Sequence, residues 1–62
     1  MVKVFWRDRY YTFEGKVTGL EVIKRLGLKE EEVLLLKDGK LLPPDIPLEE
    51  GEIKVIPVIS GG

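Results

Sequence analysis

The sequence contains no cysteine and no histidine, so neither a disulfide framework nor a zinc cluster built on thiolate and imidazole ligands can hold it together. An oxidising compartment is therefore not required. Asparagine and glutamine are also absent, and no apolar run approaches the roughly 18 residues that cross a bilayer. The opening residues, Met1 to Arg7, alternate apolar with basic types and lack the apolar stretch of a secretory signal, which predicts a cytoplasmic protein with no membrane association. Net charge of one sign is missing too, since ten Lys and Arg stand against eleven Asp and Glu, leaving −1 at pH 7. That balance speaks against the concentrated positive field that nucleic-acid backbones require.

What is present is 62 residues, 44% of them hydrophobic, which is too apolar for a disordered segment of this charge. A chain so short buries about 60% of its unfolded surface, enough for one thin core layer and too little for a roomy interior pocket. Packing and local signals must then supply the stability that staples would give. Lys and Glu provide fifteen of the 21 charged side chains, a bias expected of a heat-adapted source.

From Val2 to Arg7 the period is two, with Val2, Val4 and Trp6 on one face and Lys3, Phe5 and Arg7 on the other. Tyr10 to Glu14 repeats it, with Tyr11 and Phe13 sharing a face, and only Asp8 and Arg9 separate the runs, which predicts a hairpin. Thr18 and Glu21 have the spacing of a capping box, Val17 and Val22 that of a hydrophobic staple, and Leu20, Ile23 and Leu26 recur at helical spacing. Gly27 is placed to end this helix of about two and a half turns. After the solvated connector Glu30-Glu31-Glu32, the apolar run Val33 to Leu36 leads into Lys37-Asp38-Gly39-Lys40, a hairpin turn that returns Leu41 and Leu42 as a short strand. Pro43, Pro44 and Pro47 keep the next stretch out of helix and sheet, Glu49-Glu50-Gly51 turns, and Ile53 to Ser60 is the last strand.

The order strand, strand, helix, strand, short strand, strand suits an α+β fold in which a mixed sheet of four to five strands packs on one helix, the β-grasp or ubiquitin-like arrangement. Residues 1–59 would form this domain and residues 60–62 a flexible tail. In the last strand Ile53, Val55 and Ile59 should point inward, with Ile56 and Val58 on the open face and pairing fading at Pro57.

Several features converge on a family: a strand into Lys37-Asp38-Gly39, a Pro44-Asp45 loop, Gly51 before Ile53-Lys54-Val55, and the ending Val58-Ile59-Ser60-Gly61-Gly62. Over nearly the whole chain the sequence resembles the small sulfur carrier proteins of the ThiS and MoaD kind. It more closely resembles their archaeal and bacterial relatives that are similar to the ubiquitin-related modifier of eukaryotes. From Met1 to Gly15 the match is in pattern only, and the chain is shorter than the usual molybdopterin-synthase small subunit.

The resemblance implies a chemistry centred on Gly61 and Gly62. An E1-like enzyme would use ATP to adenylate the Gly62 carboxylate, and sulfur would displace AMP to leave a thiocarboxylate, for use in tRNA thiolation or thiamine thiazole biosynthesis. An α-carboxyl titrates near about 3.5, so at neutral pH it is ionised and needs no general base. Glycine at both positions keeps the tail narrow and conformationally free. On this reading the protein is a carried substrate and not an enzyme, with no catalytic residue, metal or bound cofactor of its own, since ATP belongs to the partner. The other partners implied are a sulfur donor and a sulfur-accepting enzyme. Molybdopterin synthesis, and conjugation of Gly62 to target-protein lysines as a modifier, are alternative uses of the same tail.

Docking of the activating enzyme calls for an exposed apolar strip, for which Phe5, Ile56 and Val58 are the candidates; Phe5 and Ile56 covering each other on neighbouring strands is the competing reading. Trp6-Arg7-Asp8-Arg9-Tyr10-Tyr11 mixes aromatic and basic residues as single-strand nucleic-acid platforms do, but its pattern also fits plain hairpin pairing. The carboxylates of Glu30 to Glu32 and of Glu49, Glu50 and Glu52 read as solvated faces, without the pocket of an acid/base pair or the spacing of a calcium loop. A β-grasp interaction module with an incidental Gly-Gly end is the non-chemical alternative.

Overall fold

In the computed structural model, which describes residues 1–58, the period-two segments at the start of the chain form an antiparallel hairpin of β1 (Val2–Trp6) and β2 (Arg9–Phe13). Trp6 pairs with Arg9, so the turn is Arg7-Asp8 and not the expected Asp8-Arg9. Both turn residues have positive φ, 48° and 63°, as a two-residue turn needs if its twist is to match that of the strands. Asp tolerates that region better than Arg, so most of the strain falls on Arg7.

The helix α1 (Gly19–Arg25) starts where the capping box places it. The Thr18 hydroxyl accepts from the Glu21 amide at 3.2 Å, and the Glu21 carboxylate accepts from the Thr18 amide at 3.2 Å. At the other end Gly27, with φ 76°, donates to the Lys24 carbonyl and Leu28 donates to the Ile23 carbonyl, each at 3.0 Å, which satisfies two otherwise orphaned acceptors. At seven residues it is shorter than expected, and a helix of this length stands only by tertiary packing.

Its buried stripe also differs from the one read from Leu20, Ile23 and Leu26. Gly19, Val22 and Ile23 are buried, while Leu20 and Leu26 are half-buried. The cause is a close approach at Gly19, where a Cβ would collide with Leu35 Cδ1 and lie 3.1 Å from Pro44 Cα. Leu20 donates to the Pro44 carbonyl at 2.9 Å, tying the first turn to that loop.

The connector after the helix is a 3₁₀ turn, Glu30–Glu32, whose carboxylates are all exposed. It leads into β4 (Val33–Lys37), the turn Asp38-Gly39 with φ 54° and 76°, and β5 (Lys40–Leu41). Leu42 lies beyond β5, though its amide still donates to the Leu35 carbonyl at 2.8 Å. Two short strands were not expected: β3 (Val17–Thr18) pairs antiparallel with β6 (Pro47–Leu48). Pro47 enters a ladder after all, as its first residue, where the missing N–H is tolerated.

The last strand, β7 (Gly51–Pro57), begins two residues earlier than expected. It occupies the centre of a five-stranded sheet with order β2-β1-β7-β4-β5, parallel to β1 and antiparallel to β4. The ladder ends at Pro57, paired with Val33, as expected of a residue with no N–H to donate, and one further bond follows it, from the Val58 amide to the Glu32 carbonyl at 2.8 Å. Ile59, expected inward, and the proposed tail from Ser60 to Gly62 lie outside the described residues.

Helix and sheet enclose one core of Val2, Val4, Trp6, Val17, Val22, Ile23, Val33, Leu35, Ile53 and Val55. No polar or charged side chain is buried among the described residues. At about 1.5–3 kcal/mol for each large apolar side chain taken out of water, this layer is what offsets the chain entropy of so short a domain. The mixed five-stranded sheet on one helix is the expected β-grasp fold.

Candidate functional site

The core claims one side chain in two along β1, β7 and β4, and the pleat turns the alternate residues to the opposite face of the sheet. Cross-strand register assembles that face: Tyr10 opposite Phe5, Thr12 opposite Lys3, Phe5 beside Lys54, Ile56 opposite Leu34, and Leu36 between Lys54 and Leu41. Among the described residues no helix covers it, because α1 packs on the other side.

Phe5 and Ile56 therefore share this face, as expected, but they are not direct partners. Phe5 stacks on Tyr10, with ring centroids 4.9 Å apart and planes tilted by 53°, and its neighbour on β7 is Lys54. Ile56 sits one period further along β7, opposite Leu34. Each is half-buried by its own partner, and the result is two apolar groups, Tyr10 with Phe5 and Ile56 with Leu34, separated by the stem of Lys54. Lys3 Nζ lies 4.4 Å from the Tyr10 ring centroid, a cation over an aromatic face at the rim.

Val58 follows the same alternation one period beyond Ile56 and is 42% exposed. It borders a cleft of about 410 Å³ at the C-terminal end of β7, together with Trp6, Arg7, Leu28, Lys29 and Pro57. The Arg7 guanidinium lies 5.1 Å from the Trp6 ring centroid, so one wall of that cleft is an aromatic capped by a cation. Gly61 and Gly62, the residues expected to carry the chemistry, lie outside the described residues.

Sequence reasoning missed Tyr10, Leu34, Leu36 and Leu41 on this face, of which Tyr10 is 56% and Leu41 66% exposed. The available signal was the unbroken run Val33-Leu34-Leu35-Leu36: a strand with only one face on a core has no use for four consecutive apolar side chains, so half of them had to be displayed. The aromatic and basic stretch Trp6 to Tyr11 is divided between the faces, with Trp6 buried, Tyr11 half-buried on the core side and Tyr10 on the open side. A hairpin that splits its aromatic residues in this way presents no continuous stacking platform.

Glu30 to Glu32 and Glu49, Glu50 and Glu52 are exposed, and among the described residues no three His, Cys, Asp or Glu side chains gather as metal ligands would. No helix among them is long and apolar enough to cross a membrane.

Against this geometry, comparison with known proteins is informative. The model of the family described as small archaeal modifier protein 2 matches residues 7–59, which includes β2, the helix and all of β7. An uncharacterized protein of Archaeoglobus fulgidus is 45% identical over 42 residues. That alignment covers 68% of this chain and 63% of the relative, so the match spans less than two thirds of the relative's length.

Proposed function

Because the chain belongs to the small archaeal modifier protein 2 family, whose members are ubiquitin-like, we propose that it acts as a protein carried through its Gly62 carboxylate and not as an enzyme. A carboxylate oxygen of Gly62 attacks the α-phosphate of ATP held by an E1-like partner, pyrophosphate leaves, and an acyl adenylate forms. Sulfide delivered by a donor then attacks the acyl carbon, AMP leaves, and a thiocarboxylate remains for a sulfur-accepting enzyme of tRNA thiolation or thiazole synthesis. ATP is the partner's ligand, and the chain itself holds no cofactor. We place these events in the cytoplasm.

The observation that carries the proposal is the family match together with the position of β7. This strand pairs with β1 from Gly51 to Lys54 and with β4 from Lys54 to Pro57. Five residues lead from there to Gly62, a contour of at most about 18 Å at roughly 3.3–3.6 Å per residue. A strand paired into the sheet, followed in sequence by two glycines without side chains, suits delivery into a partner's ATP site. Phe5, Ile56 and Val58, joined by Leu34, are the proposed contact with that partner.

A second fate of the same adenylate is favoured by the family's description as modifiers: attack by a target lysine amine, which displaces AMP and forms an isopeptide. Intact mass of the protein from its own host separates the fates. A gain equal to sulfur replacing oxygen, which a thiol-alkylating reagent then raises by the mass of one alkyl group, supports the carrier reading. Gly62 in isopeptide linkage to a lysine supports the modifier. Mass that is unchanged and no ATP-dependent adenylate with the host's E1-like enzyme would overturn both, and the same spectrum checks that Gly62 is the last residue.

A further inference from the structure

The sheet order leaves β2 at one end, and among the described residues no strand lies outside it. A two-residue turn makes Trp6 and Arg9 a hydrogen-bonded pair, and alternation along an antiparallel ladder then makes Val4 with Tyr11 and Val2 with Phe13 hydrogen-bonded pairs too. The N–H and C=O groups of Tyr10 and Thr12 therefore point away from β1, toward solvent. No proline and no bulge interrupts Arg9-Tyr10-Tyr11-Thr12-Phe13, and Arg9 is the one charged residue on the strand.

Beside this edge, on the helix side of the sheet, runs a groove of about 450 Å³ lined by Tyr11, Thr12, Phe13, Arg25 and Leu26. Tyr11, Phe13 and Leu26 are half-buried and pack on the core, and their side chains form the floor. The rim is cationic, with Arg25 in the groove and Arg9 on the same side of β2. Asp8 and Glu14 flank β2 at its two ends, so the cationic charge on the groove side is that of Arg9 and Arg25.

We propose that the β2 edge is a strand-addition site for an extended peptide segment of a partner, with apolar side chains at alternate positions followed by acidic ones. Main-chain bonds to Tyr10 and Thr12 supply affinity in any sequence, and side chains on the groove side supply selection. The apolar positions cover Tyr11, Phe13 and Leu26, and the acidic ones meet Arg9 and Arg25. A second copy fits less well, since two β2 edges paired about Tyr11 would bring two Arg9 and two Arg25 side chains to one interface. The site shares no residue with the Gly62 chemistry, so each reading can fail without the other.

The test is a titration of the ¹⁵N-labelled full chain with the blocked peptide Val-Thr-Ile-Thr-Asp-Thr-Asp and with the same peptide carrying Lys for Asp. Strand addition shifts the amides of Tyr10 to Phe13 and of Leu26, slows exchange of the Tyr10 and Thr12 amides, and weakens about fivefold or more with the Lys peptide. Arg25→Glu, an exposed change, reverses the preference between the peptides. Thr12→Pro removes an outward N–H that the β1 ladder does not use and abolishes binding; if this variant unfolds, the Arg25→Glu reversal carries the test alone. No binding, equal affinity for both peptides, shifts confined to Leu34 and Ile56, or self-association through β2 without peptide would each overturn the proposal.

Discussion

At the scale of single residues, two glycines show how differently the same residue type is required. Gly19 has no side chain because Leu35 and the Pro44 backbone occupy the place of a Cβ. Gly19→Ala is expected to destabilise by about 1–3 kcal/mol through overpacking, read as a lower urea midpoint at unchanged m-value. Gly27 has open space around it but φ 76°, so Gly27→Ala should cost about 1–2 kcal/mol by backbone strain alone. The need for Gly27 was legible from its place after the helix, whereas the need for Gly19 was not. Its reason lies in a loop some 25 residues away in sequence, and no local pattern records that contact.

At the scale of elements, the helix and β4 teach opposite lessons. The helix start was legible because a capping box is written in residues three apart, and Thr18→Ala should cost about 1 kcal/mol in thermal or urea unfolding. Its inward face was misread because Leu20, Ile23 and Leu26 satisfy helical spacing as well as Gly19, Val22 and Ile23 do. Within β4 the run Val33 to Leu36 carries no alternation, yet the pleat sorts it. Leu35→Ala is expected to cost about 2–5 kcal/mol, and Leu34→Thr, one residue away, to stay within about 0.5 kcal/mol. Equal losses at the two positions would refute the assignment of faces.

At the scale of the whole molecule, a net charge of −1 conceals a separation, because ten of the eleven carboxylates lie outside the five strands of the main sheet. A partner approaching the open face thus meets apolar groups with Lys3 and Lys54 beside them and Glu52 opposite Lys3. Ile56→Asp places an acid in that strip, half-buried opposite Leu34, and is expected to weaken association with the E1-like enzyme by tenfold or more while the domain stays folded, as circular dichroism would verify. Removing Gly61-Gly62 should abolish adenylation and leave the unfolding midpoint nearly unchanged, because among the described residues the last core side chain is Val55 and the last ladder pair is at Pro57. A large drop in midpoint would argue that the last residues belong to the folded body.

By itself the sequence determined the fold class, the hairpins and helix in order, and the terminal glycines on which the proposed chemistry rests. These follow from signals read within a few residues: period two, a capping box, an Asp-Gly turn, and prolines that exclude regular structure. Only the tertiary structure decided the turn at Arg7-Asp8, the pairing of β3 with β6, the inward stripe of the helix, and the joining of Tyr10, Leu34, Leu36 and Leu41 into the open face. It also decided which backbone groups of β2 face solvent. Each of these depends on register between strands distant in sequence, where a shift of one residue exchanges the two faces and local pattern is blind to the difference.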